Sequence, residues 1–213
     1  GWEADDLIAT YARVAREAGA AVTIVSSDKD LMQLIRPGVA MFDPVNNRPI
    51  GPDEVQQKFC VAPDRVIDVQ ALAGDSIDNV PGVPGIGVKT AAQLIEEYGD
   101  LETLLARAAE IRQPKRREAL LTHAAAARLS RELVRLRDDV PLPVPLSALS
   151  KRRPDGPRLT AFLQAQAFRS VITRLQSRGV LAPADPATAS PASAADGVAA
   201  SKPAAVEARY EAV

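Results

Sequence analysis

At 213 residues, 46% hydrophobic and 25% charged, the chain has apolar mass for one good core and a second small one. One cysteine, Cys60, excludes an internal disulfide, and with a single histidine, His123, it argues against a zinc or His-rich centre. The net charge of -1 hides a division: residues 1–110 carry 9 Lys+Arg against 18 Asp+Glu, residues 111–182 carry 15 against 5, and residues 183–213 carry 2 against 4.

An acidic part able to hold cations thus precedes a basic part able to track a phosphate backbone. The low cysteine count leads to the expectation of an intracellular setting, and no uninterrupted apolar stretch is long enough for a bilayer. Because residue 1 is glycine and an acidic helix starts almost at once, the chain is expected to be a piece of a longer protein.

The apolar spacing of Leu7, Ile8, Tyr11, Ala12, Val14 and Ala15 predicts a helix over Glu3–Ala18, with Gly19 closing it. Ala21–Ser26 follows as a strand whose unbroken apolar character fits burial on both faces, and Asp28-Lys29-Asp30 falls at its C-terminal end. Open α/β sheets place their sites there. Leu31–Ile35 reads as a short helix, and Val39–Phe42 and Pro49-Ile50 as strands around the turn Asn46-Asn47. Pro52, Asp53 and Glu54 start another helix. Pro63–Ala73 is helical and stops at Gly74, with Asp75 and Asp78 directly after it.

Seven carboxylates therefore stand in three short clusters: Glu3, Asp5 and Asp6; Asp28 and Asp30; Asp75 and Asp78. Each cluster alone is ordinary, because acids favour a first helical turn, an N-cap or a capping box. Together they lie at element ends with few cations near them in sequence except Lys29. Carboxylates gathered without partners repel, and a hard divalent cation, Mg2+ first, relieves that cost.

The segment Pro81-Gly82-Val83-Pro84-Gly85-Ile86-Gly87-Val88-Lys89-Thr90 is the most specific local signal. Its glycines allow positive φ and close backbone approach between two helices, Asp68–Gly74 and Lys89–Tyr98. Such a helix-hairpin-helix offers backbone N–H groups and a helix N-terminus to phosphates, with Lys89 adding charge and Thr90 a hydroxyl.

Gly1-Trp2-Glu3-Ala4-Asp5-Asp6, Ser27-Asp28-Lys29-Asp30, Gly74-Asp75-Ser76-Ile77-Asp78-Asn79 and the hairpin through Thr90 resemble successive motifs of the 5' nuclease (flap endonuclease) superfamily. Within it they are most similar to the N-terminal 5'-3' exonuclease domain of bacterial DNA polymerase I, in order and spacing over about residues 1–180. The resemblance implies an α/β fold, a PIN-like 5' nuclease core with an incomplete, mostly parallel sheet over residues 1–73. A helix-hairpin-helix (H3TH) subdomain would follow over 74–182.

The resemblance also implies roles. Glu3, Asp5, Asp6, Asp28, Asp30, Asp75 and Asp78 match the metal-binding acids, all but Glu3 counted as catalytic, and Gly82, Val83, Gly85, Ile86, Gly87, Lys89 and Thr90 match the DNA-binding hairpin. Two Mg2+ or Mn2+ ions on the order of 4 Å apart would serve hydrolysis of DNA phosphodiesters in replication and repair, with K+ at the hairpin. The partner is DNA with a 5' end, nick or flap, in a bacterial, nucleoid-associated cytoplasmic setting. Family members begin with a strand bearing another metal-binding Asp, a further Asp and a basic arch, all of which would precede Gly1. This stretch is therefore expected to bind DNA weakly and cleave little by itself.

Arg112, Lys115, Arg116 and Arg117 open an Ala- and Arg-rich helical stretch to Arg137, read as lying along a DNA strand. Asp138–Pro145 is extended, and Leu159–Arg178 supplies a last helical pair with Phe162 and Phe168 in the core. From Ala182 the composition turns to Ala, Pro and Ser, so 183–207 reads as a linker and 208–213 as the first strand of a further domain. By resemblance that domain is 3'-5' exonuclease-like, with a polymerase beyond it. Two rival readings stand beside the nuclease: a non-catalytic helix-hairpin-helix docking module, which leaves the acids unmotivated, and a PIN-type ribonuclease, which has no use for the hairpin.

Overall fold

Helix α1 (Ala4–Glu17) turns its buried face, Ala9, Thr10 and Ala12, inward, and Gly19 at φ 81° lets the chain reverse into strand β1 (Val22–Val25). This computed structural model describes residues 1–181; the predicted linker and the predicted strand 208–213 lie outside them. Strand β2 (Val39–Asp43) pairs with β1 in parallel, Val22 opposite Val39 and Val25 opposite Phe42. β3 (Arg48–Ile50) pairs with β2 antiparallel.

The predicted sheet thus forms in the order β1-β2-β3, with one parallel and one antiparallel pair in place of a mostly parallel arrangement. The hairpin turn at Asn46-Asn47 dictates the antiparallel pair: Asp43 accepts from the backbone N–H of Val45 and Asn46 and from the Asn46 side chain. β1 also departs from expectation, because only Ile24 is buried while Thr23 and Val25 are exposed. An unbroken apolar run signals burial on both faces only when both faces are covered.

Beyond β1, the short helix expected over Leu31–Ile35 forms as a 3-10 helix, Asp30–Leu34. α2 (Pro52–Phe59) starts at its proline as expected. The stretch from Pro63 opens as a 3-10 turn and becomes α3 (Val66–Ala73), which ends at Gly74. After the hairpin come α4 (Val88–Tyr98) and α5 (Leu101–Ala106), the latter capped by the Asp100 carboxylate on the Thr103 N–H. The basic stretch is two helices, α6 (Pro114–Thr122) and α7 (Ala124–Val134), broken at His123.

One apolar cluster joins the sheet side (Leu31, Met41) to the helices (Leu72, Ile95, Leu104, Leu120), and α3 packs on both α4 and α7. Residues 1–150 accordingly form one compact unit. A second unit begins at Lys151; its described part holds α8 (Gly156–Ala165) and α9 (Arg169–Ser177). Phe162 and Phe168, expected in the core, are 56% and 49% exposed.

Polar ties fix the segment after α7 across the front of the first unit. Buried Gln33 donates to the carbonyls of Asp30 and Val134 and accepts from the Leu136 N–H. Thr10 accepts from the Val140 N–H, and Arg13 and Tyr11 donate to the carbonyls of Asp138 and Val144. α1 and the Asp30 turn, which carry two of the acidic clusters, are thereby held to one strap.

Candidate metal and DNA site

Two of the acidic clusters meet beyond the C-terminal end of β1, and Asp5 of the third lies near enough to feel their charge. Carboxylate oxygens of Asp30, Asp75 and Asp78 lie within 4.8 Å of one another. Asp28 accepts from the Asp30 N–H, tightening the turn that presents Asp30. Asp75 accepts from the Ile77 N–H, and a bridge between Asp75 and Val80 (2.9 and 2.7 Å) closes the loop that carries Asp78. Burial, then the charges of Asp28, Glu3, Asp30 and Asp6, push the Asp5 carboxyl above its usual range, which ties α1 electrostatically to the same site.

Both carboxylate oxygens of Asp6 accept backbone N–H bonds. Its Oδ1 accepts from the Arg137 N–H at 2.9 Å and its Oδ2 from the Glu3 N–H at 3.4 Å, so it fastens the strap and the helix start. Glu3 is exposed at the N-cap of α1. Asp5, not Asp6, faces the other acids.

Two contacts were not foreseen. Lys29, noted in sequence only as the nearby exception, has its ammonium 2.6 Å from Asp75, 3.3 Å from Asp30 and 3.7 Å from Asp78. Burial disfavours that charge, yet the hydrogen bond to Asp75 and the proximity of Asp30 hold the Lys29 pKa above the usual lysine range. Buried Gln70 of α3 donates to Asp30 Oδ1, while its Oε1 has no hydrogen-bond partner. Gln70, the one polar residue besides Asp68 in the apolar run of α3, was the sequence signal for it.

The hydrogen bond from Lys29 holds Asp75 below the usual carboxylate range despite its burial. A depressed folded pKa contributes stability that is complete above the unfolded value near pH 4 and is lost as pH falls through the folded one. Asp75→Asn is expected to flatten that part of the acid profile, measured as urea midpoints between about pH 6 and pH 2; an unchanged profile would count against the contact.

In the hairpin, the N–H of Gly82 donates to buried Ser130 at 2.9 Å, that of Val83 to the Leu72 carbonyl and that of Ile86 to the Val83 carbonyl. Val83 and Ile86 also bury their side chains in the core. These three N–H groups are therefore paired within the fold. Gly85, Gly87 and Lys89 are exposed, Thr90 is partly so, and the first turn of α4 has N–H groups free of helical acceptors. In the basic stretch, Arg128 pairs with Glu102, Arg131 with Asp68 and Arg137 with Asp139. Arg112 and Lys115 near the start of α6, and Arg135 after α7, are exposed and belong to none of these pairs.

Residues 1–60 match the model of the 5'-3' exonuclease N-terminal resolvase-like domain, and residues 61–157 match that of the 5'-3' exonuclease C-terminal SAM fold. The two consecutive matches together cover about three quarters of the chain. The chain belongs to the 5'-3' exonuclease family. It is 58% identical over 175 residues to DNA polymerase I of Rhizobium leguminosarum, a match covering 82% of this chain and 17% of that protein. It is 45% identical over 140 residues to the flap endonuclease Xni of Aeromonas hydrophila, covering 66% of this chain and 52% of Xni. The chain thus spans about a fifth or less of the first and about half of the second. A bacteriophage T5 flap endonuclease, solved as a pseudo-enzyme-product complex with DNA and metal ions, superposes with a TM-score of 0.60 at 25% identity, covering 64% of this chain and 51% of that one.

Proposed function

We propose that the chain is the metal-dependent 5'-3' exonuclease and flap endonuclease part of a DNA polymerase I-type protein, acting on DNA with a 5' end, nick or flap. The observation that carries this is the convergence of Asp30, Asp75 and Asp78 within 4.8 Å, the last two on a loop continuous with a glycine-rich hairpin that leads into a helix N-terminus. The donor set is all carboxylate oxygen, which suits a hard cation such as Mg2+ or Mn2+, and one cation, the Lys29 ammonium, already lies among the three. The relatives support the reading: one is a polymerase I, one a flap endonuclease, and the T5 enzyme holds DNA and metal ions.

Asp30, Asp75 and Asp78 would hold the metal, with Asp5 and Asp28 beside them and Glu3 at the margin. Bound divalent ions would supply Lewis-acid stabilisation of the phosphodiester and an activated water. The chain's own residues position the substrate. The exposed N–H groups at Gly85, Gly87 and the start of α4, with Lys89 and Thr90, hold phosphates without reading sequence. Gln70 and Asp28 fix the orientation of Asp30.

The test is cleavage of a 5'-flapped duplex by the polymerase-length protein in Mg2+ and in EDTA, beside single-stranded RNA. Flap cleavage in Mg2+ alone, with RNA intact, is expected; RNA cleavage would favour the PIN-type ribonuclease. One observation favours the docking module: Lys29 already pairs with all three acids and offsets part of their charge. Binding of flapped DNA with no cleavage in any divalent ion would select that reading.

DNA binding should weaken steeply with salt, by about 0.9 unit of log-log slope per phosphate contact. Arg112→Ala with Lys115→Ala is expected to lower the slope by about two units, read from titrations at several salt concentrations. An unchanged slope would remove α6 from the interface.

A further inference from the structure

Lys29 Nζ stands 2.6, 3.3 and 3.7 Å from single oxygens of Asp75, Asp30 and Asp78, the same three carboxylates that converge at the site. No other Lys or Arg among the described residues pairs with any of the three. Mg2+ requires carboxylate oxygens at about 2.1 Å, well inside the contacts that the ammonium makes. Both cations cannot use the same oxygens at once, so binding one means releasing the other.

The lysine is suited to leaving. Its side chain is a quarter exposed, and its charge rides on a flexible four-carbon stem, so the head group can swing into solvent without disturbing the backbone. The backbone at Lys29 lies between Asp28, which accepts from the Asp30 N–H, and the 3-10 turn, so the acids keep their places when the head group moves. Gln70 holds Asp30 by Oδ1, whereas Lys29 touches Oδ2; the second oxygen is the one a metal would take over.

We propose that Lys29 is a tethered counter-ion: it holds the three carboxylates together in the metal-free protein and is displaced by the first divalent ion to bind. This rests on the reading of the site as a divalent-metal site. Without the ammonium, the carboxylates repel and the metal-free state is raised in free energy, while the metal-bound state loses little because the ion itself neutralises them. Metal affinity and metal-free stability therefore move in opposite directions when the charge is removed.

The experiment is a calorimetric Mn2+ titration of the 213-residue chain, of Lys29→Met and of Lys29→Arg, with melting temperatures in EDTA. Lys29→Met is expected to bind Mn2+ about tenfold more tightly and to melt lower without metal. Lys29→Arg, which keeps the charge, should bind within about threefold of the unsubstituted chain. If Lys29→Met does not fold in EDTA, Lys29→Gln, which keeps a donor toward Asp75, carries the comparison. Mn2+ binding by the unsubstituted chain that is no tighter in the neutral variants overturns the counter-ion role alone. Absence of Mn2+ binding in every form overturns the metal site and this inference with it.

Discussion

Gly82→Val is expected to destabilise the first unit by about 4 kcal/mol or more, a loss at the extreme of single substitutions. Gly82 has φ 61°, and a Cβ there would meet Gly74 N at 2.5 Å, Gly74 Cα at 2.7 Å and the Ala73 carbonyl carbon at 2.8 Å. Those atoms are backbone and cannot swing aside. The left-handed conformation costs a β-branched residue roughly 1–3 kcal/mol, and the overlap about as much again. Gly74, at φ 71°, is blocked in the same way by the Val80 carbonyl oxygen at 2.8 Å.

These two glycines lie back to back at the base of the loop that presents Asp75 and Asp78, so the hairpin and the acidic site close as one piece. Gly85→Ala is the control: φ is 81° but nothing lies within 4 Å of its Cβ, and a cost of only about 1–2 kcal/mol is expected. Urea denaturation of both variants measures the difference. Equal losses would mean that the close approach is unimportant.

Asp75→Ala in the polymerase-length protein should lower 5'-flap cleavage by about three orders of magnitude, roughly 4 kcal/mol of barrier, with polymerisation unchanged as the control for folding. Asp75 is the carboxylate nearest Lys29 and the residue whose Oδ1 accepts the Ile77 N–H. Alanine removes a ligand and a turn bond together. Asparagine retains the acceptor, so Asp75→Asn should lose cleavage to a similar degree while keeping more stability than alanine. Cleavage by Asp75→Asn at the level of the unsubstituted protein would remove the carboxylate from the mechanism.

Local pattern carried most of the first unit. The apolar spacing from Leu7 to Ala15, the run Val22–Val25, the proline starts at Pro52 and Pro63 and the stop at Gly74 all correspond to element boundaries within a few residues. The acids were legible because they fall at the ends of those elements. What was not legible depends on residues far apart in the chain. Asp6 is turned to the strap by Arg137, 131 positions away, and Gln70 reaches Asp30 across 40. Lys29 is adjacent to Asp30, but only the fold brings it to Asp75.

The hairpin shows the same division. Its glycines announced close backbone approach, but not that Gly82 spends its N–H on Ser130 of α7, 48 residues on. That contact leaves the exposed end, Gly85 to Thr90, as the part that can meet phosphate. Arg128, Arg131 and Arg137 read as a basic face because their acidic partners, Glu102, Asp68 and Asp139, are brought beside them only by packing and turns that their spacing does not announce.

Mn2+ binding compared across single substitutions in each acidic cluster, Asp5→Ala, Asp28→Ala and Asp75→Ala, tests most directly whether three separated segments build one metal site. Mn2+ bound by the unsubstituted chain and weakened at least tenfold by each of the three substitutions is the predicted result. Binding that survives all three unchanged, or an unsubstituted chain that takes up no Mn2+ at millimolar concentration, would contradict it.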